Sequence, residues 1–182
     1  MSIYLYRNNR QEGPYEEFVV WEWLQAGDCS ADDLAIREGM AEWQPLNRVL
    51  GFQEPFYGIT YLALVSIGDI VDEDLSRFSV VINRMKLFSG FTTELAQTYH
   101  DKMQPMVDGD ADDWEEFISA AASALPSQLR ETAFAISCDL VMRNGFVPQK
   151  ADGYLEMLQQ RLGIEDNLAK TITAVMQIKN RG

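Results

Sequence analysis

The spacing of apolar residues changes period once along this chain, near Phe56. That change divides the fold into two parts built on different secondary structure. Ahead of it, Ile3-Tyr4-Leu5-Tyr6 is β-branched and aromatic, and Arg7-Asn8-Asn9-Arg10 supplies turn chemistry. Glu16 and Glu17 then stand where a helix start prefers anions, before a short apolar helix of Phe18, Val19, Trp21, Trp23 and Leu24. Gly27 suits the C′ position of that helix. Asp32-Asp33-Leu34 reads as a second helical turn, and Leu34–Arg37 with Gln44-Pro45-Leu46 as strands around a turn. Gly51 to Pro55 carries the Gly and Pro punctuation of a linker.

After Phe56 the apolar residues recur at three and four. Leu75, Phe78, Ile82 and Met85 follow Asp72-Glu73-Asp74 and precede Arg84 and Lys86, the charge order a helix dipole favours. Further stripes are Leu95, Tyr99, Met103 and Met106; Trp114, Phe117, Ile118 and Ala121; and Leu129, Ala133, Phe134, Ile136 and Leu140. Leu155, Leu158 and Leu162 follow Pro148, and Leu168, Ile172, Val175 and Met176 follow Glu165. These six stripes, with the helical period that opens at Phe56, predict about seven helices. A repeat at an offset of 77 residues aligns Gly68 with Gly145, Phe78 with Leu155, Val81 with Leu158 and Met85 with Leu162. Two similar helix hairpins packed on each other satisfy that pattern. The expected fold class is therefore an α+β N-terminal module plus an all-α C-terminal domain. The boundaries are 1–50 for the module, 51–56 for a linker and 57–182 for the helical domain.

With 28 acidic residues against 15 basic ones, the formal charge is −13. Such a surface repels nucleic acid, whose affinity comes from Lys and Arg neutralising phosphates, and it disfavours anionic membranes. The longest apolar stretch, around Ile59 to Ile67, is too short to span a bilayer, and no direct membrane insertion is expected. The first ten residues lack the basic and apolar regions of a signal peptide. Cys29 and Cys138 read as two reduced thiols, and the expected location is the cytoplasm.

The N-terminal segment, about residues 3–49, resembles a GYF domain of the bacterial GYF-like variety. The resemblance rests on Tyr4-Leu5-Tyr6, Gly13-Pro14-Tyr15, Val20, Trp23 and Gly27-Asp28-Cys29 at the family's spacings, and on Arg37 to Leu46 as its close. It implies a peptide-binding module for proline-rich segments, which are already extended and dock on aromatic rings at little entropic cost. Carried across by position, the peptide-binding residues are Tyr4, Tyr6, Tyr15, Trp23 and Cys29, with Cys29 standing where the family has an aromatic. Trp21, Trp23 and Trp43 equally suit the core of a module this small, so both roles are open for them.

Residues 57–180 resemble the TerB-like tellurite-resistance family through Ala124-Leu125-Pro126, Leu129 to Phe134, Asp139-Leu140 and Leu162-Gly163-Ile164. That family's acidic turns are implicated in divalent-cation binding, where several carboxylate oxygens converge. Here the turns read Ser66 to Val71 and Arg143 to Val147, with Gln149 and Lys150 in place of an acidic pair. Asp69, Asp72, Glu73 and Asp139 remain as metal candidates, while Asp72-Glu73-Asp74 also suits a helix start. The resemblance thus implies a retained helical scaffold with its metal chemistry largely lost.

Asp108 to Asp113 begins like an EF-hand loop but lacks its Gly and Glu, and it suits an acidic helix start. His100 is the single histidine, which excludes multi-histidine metal sites. There is no phosphate loop, G-x-G-x-x-G or G-x-S-x-G. The expectation is a non-enzymatic adaptor without cofactors. Its GYF-like module would bind an extended, proline-containing segment, and its helical domain would dock a second protein or a subunit of a larger assembly. The alternative is a divalent-cation-responsive stress protein of the tellurite-resistance type.

Overall fold

The computed structural model describes residues 2–109 and 111–181. Asp110, in the middle of the acidic run, lies outside the described residues. The chain divides into two compact units.

The first unit comprises Met1–Gln53 and Asn83–Phe91. Its antiparallel sheet has the order β2-β1-β3-β4, formed by β1 (Ser2–Arg7), β2 (Arg10–Glu16), β3 (Leu34–Arg37) and β4 (Gln44–Pro45). Asn8 and Asn9 turn the first hairpin at positive φ, a conformation asparagine tolerates. The period of two along β1 buries Ile3 and Leu5 on one face and leaves Tyr4 and Tyr6 on the other. Helix α1 (Glu17–Ala26) adds Val20, Trp21 and Leu24 to the core and ends at Gly27, φ +85°. The expected helical turn at Asp32-Asp33-Leu34 is instead a single turn from Ser30 to Asp33, closed by the Asp33 amide on the Ser30 carbonyl (3.1 Å) and running into β3. The Asp33 carboxylate accepts from the Ser30 amide (3.0 Å) and the Ser30 hydroxyl from the Asp32 amide (3.3 Å). Local side-chain acceptors compete with the helix for those N–H groups. Leu46, expected at the end of a strand, opens the short helix α2 (Leu46–Val49).

Residues 83–91 return to this unit. Leu87 and Phe88 are buried in its core. The Gln53 amide donates to the Leu87 carbonyl at 2.7 Å, and the Asn47 amide donates to the Ser89 carbonyl. Both amides are buried, where a polar group needs a partner to offset lost hydration.

The second unit comprises Glu54–Ile82 and Thr92–Gly182. Among the described residues, seven α-helices start at or after Gln53, the number expected. They are α3 (Gln53–Val65), α4 (Asp72–Arg84), α5 (Thr93–Val107), α6 (Ala111–Ala124), α7 (Ser127–Val141), α8 (Gln149–Leu162) and α9 (Asp166–Lys179). Pro55, expected in the linker, sits in the first turn of α3, where its missing N–H is harmless. Helix α3 is buried continuously from Phe56 to Leu64, the pattern of a central helix. Helix α8 packs on α6 and α7, and α7 on α9. Tyr154 on α8, itself buried, donates to the Ile59 carbonyl at 2.6 Å. The 77-residue offset is structural: α4 and α8 begin at matching positions, and Gly68 and Gly145 turn the chain before them at φ +91° and +78°. Leu75, expected on the apolar stripe of α4, is exposed; Phe78 and Ile82 carry its burial.

Among the described residues no helix is long and apolar enough to cross a membrane.

Candidate functional site

The aromatic face of the first unit is built by a break in strand register. Between β1 and β2, Ile3 pairs with Tyr15 but Leu5 pairs with Glu12, so β2 carries an extra residue in the Gly13-Pro14 stretch. Gly13 sits at φ +123°, and a Cβ there would lie 2.9 Å from the Ile3 carbonyl and 3.2 Å from the Tyr4 ring. Only glycine fits, and its lack of a side chain lets Tyr4 lie against the bulge. The same bulge delivers Tyr15 to α1. Its ring meets Trp23 edge-on, with centroids 4.8 Å apart and planes 75° apart. The Arg7 guanidinium lies 5.8 Å from the centre of the Trp23 ring, within cation–π range. Arg7 also donates to the Asp28 carbonyl (3.1 Å) and pairs with Asp33 (3.5 Å), which fixes it there.

Tyr4, Tyr15 and Trp23 are thus half-buried and gathered around one bulge, flat apolar surface with polar edges. Tyr6, 44% exposed, instead pairs edge-on with Trp43 at 5.6 Å. Cys29 lies underneath: it is 8% exposed, and its thiol points to the Val20 carbonyl at 3.7 Å. Burial pushes that thiol up from its ordinary value, with Arg7 pulling the other way. Of the three tryptophans open to both roles, Trp21 is core, edge-on to Phe52 at 5.7 Å, while Trp23 and Trp43 are half-buried.

Sequence reasoning missed Arg7 and the Trp43–Tyr6 pair. Both meet their partners across 16 residues or more of chain, and neither carries a local signal. Beside this face, Glu17 pairs with Arg37. Burial raises the Glu17 carboxyl above its ordinary value, against the opposing charge of Arg37.

Of the four acids expected to hold a metal in the helical unit, Asp139 alone has its carboxylate held by cations among the described residues. Asp139, 5% exposed, accepts from Lys179 (2.5 Å), Asn180 (2.8 Å) and Arg77 (3.0 Å). Asp74 pairs with Arg143, which also donates to the Asp69 carbonyl at 2.8 Å. The Lys150 ammonium packs on the Gly68 turn, 2.9 Å from where a Cβ would be. Asp72 and Glu73 are exposed in the first turn of α4, where they face the positive end of its dipole. Among the described residues, no three His, Cys, Asp or Glu side chains gather as a metal site.

No curated protein and no solved structure matches the chain. Residues 4–52 match the family model described as GYF domain 2, a span that begins at Tyr4 and takes in the bulge, Tyr15 and Trp23. GYF domains mediate protein–protein interaction through proline-rich peptides and are not catalysts. The N-terminal unit of this chain therefore carries a GYF-like binding module.

Proposed function

We propose that this chain is a non-catalytic cytoplasmic adaptor. Its GYF-like module captures an extended, proline-containing segment on Tyr4, Tyr15 and Trp23, with Tyr6 at the edge of that face and Cys29 as its floor. Its helical unit docks a second partner. The observation that carries the reading is a half-exposed Trp23 braced edge-on by Tyr15 and capped by Arg7. A ring held this way has lost its freedom before any ligand arrives, so a polyproline helix stacks on it at low entropic cost. Two buried free thiols support a reducing compartment.

For the helical unit we propose a TerB-like scaffold. The two hairpins at an offset of 77 residues support it, as do the Gly68 and Gly145 turns. Guanidinium and ammonium groups occupy Asp139 and Asp74, and Asp69, Asp72 and Glu73 gather no third ligand among the described residues, which favours a docking role over cation chemistry.

Titrating the full chain with proline-rich peptides while following tryptophan fluorescence tests the first half. A saturable change is expected, with affinity at least about tenfold weaker in Trp23→Ala, since stacked tryptophans are typical energetic anchors. Equal affinity in wild type and variant would remove the aromatic face from the reading.

A further inference from the structure

The first unit holds a concavity of about 400 Å³ between the loop that follows α1 and the returning segment 83–89. Tyr4, Tyr15 and Trp23 do not line it, and Cys29, the floor of the aromatic face, is the residue the two share. Leu24 and Cys29 supply apolar surface on one side and Met85 on the other, and Arg84 and Lys86 supply the charge. No carboxylate lines it, in a chain that has 28 acids and 15 bases. Arg84 and Lys86 are both exposed, and neither makes an ion pair among the described residues.

We propose that this groove binds an acidic peptide segment in which Asp or Glu flanks an apolar side chain. The volume lies within the range of ligand sites and suits a few residues of extended chain rather than a whole helix. The charge sets the chemistry. Unpaired cations beside an apolar wall attract carboxylates and reject basic segments, and most of the protein's own surface is of the opposite sign. The groove also has a polarity. Helix α1 ends there with no basic residue in its last turn, so its carbonyl end is negative. Carboxylates therefore lie along Arg84 and Lys86, and the apolar side chain inserts towards Leu24, Cys29 and Met85.

The test is selection of a random dodecapeptide display library on the immobilised full chain carrying Trp23→Ala, which silences the aromatic face. Peptides enriched in Asp or Glu beside Leu, Ile, Phe or Met are expected. One such peptide should bind at least tenfold more weakly to Arg84→Glu/Lys86→Glu, whose exposed positions leave the melting temperature in place, and several-fold more weakly at 200 mM than at 50 mM salt. Enrichment without acids, no enrichment over bare support, or unchanged binding by the double variant overturns the proposal. So does displacement of the peptide by millimolar inorganic phosphate or by phosphatidylserine vesicles, which would assign the two cations to a different anion. Acidic peptides captured by the wild type and absent with Trp23→Ala would return them to the aromatic face.

Discussion

Asp139 sits almost out of water in α7, an environment that by itself would raise its pKa. Hydrogen bonds from Lys179 and Asn180 and the charges of Arg77 and Lys179 outweigh burial, and the carboxyl stays below its ordinary 3.8. A folded pKa below the unfolded one gives stability that is present above 3.8 and is lost as pH falls through the folded value. Asp139→Asn should therefore flatten the acid limb of a melting-temperature profile below about pH 4. Asp139→Ala should cost about 2 kcal/mol at pH 7, less than a fully buried pair because Lys179 is largely exposed. Two parallel acid limbs, wild type and Asp139→Asn, would refute the assignment. Its neighbour Cys138 is fully buried, and burial pushes its thiol up to about 11, with the Thr173 hydroxyl pulling down. A value near 11 against the ordinary 9.0 leaves about a hundredfold less thiolate at pH 8. Iodoacetamide at pH 8 should label Cys138 at least that much more slowly in the native chain than in denaturant, read by mass spectrometry. Asp139 could be named from the sequence as a surviving acid, but not its role. Its partners lie 40 and more residues away, and no spacing announces them.

At the scale of elements the helices were the legible part, because a stripe of period 3.6 is written into each segment. The repeat went further, aligning the start of α4 with the start of α8 before any geometry was known. The return of residues 83–91 to the first unit was not legible. It depends on Asn47 and Gln53 reaching Ser89 and Leu87, and an amide's partner cannot be read from its own neighbourhood. Gly58 was equally silent. In isolation it weakens α3, and Gly→Ala in a helix gains about 1 kcal/mol. In the folded unit a Cβ at Gly58 would overlap the Phe117 ring and lie 2.9 Å from the Met103 sulfur. Overpacking of that kind costs roughly 1–3 kcal/mol and outweighs the propensity gain. Gly58→Ala should lower stability in urea, and Gly58→Ala/Phe117→Leu should lose less than the two single variants together. Strict additivity would show that the two sites do not touch.

For the molecule as a whole, the proposed adaptor role requires two separable sets of contacts on one chain. The first was legible because Gly13-Pro14-Tyr15 and Trp23 stand at fixed spacing. The structure adds the reason for that spacing: the Gly13 bulge brings Tyr15 to α1. The second rests on the helical unit, where Phe146 is 73% and Ile178 69% exposed. A Cβ at Gly145 would lie 2.9 Å from the Gln177 carbonyl, so the turn bearing Phe146 runs beside the end of α9 that bears Ile178. Apolar side chains this open cost little to replace in the free protein, since few folded contacts are lost. Phe146→Asp/Ile178→Asp should leave the melting temperature within about 4 °C, since surface changes away from packed features stay within about 0.5 kcal/mol each. In affinity capture from cell extract, Trp23→Ala should remove one set of proteins and Phe146→Asp/Ile178→Asp a different one. Loss of the same proteins with either variant would mean a single extended site. Retention of everything by the double variant would move docking elsewhere on the helical unit.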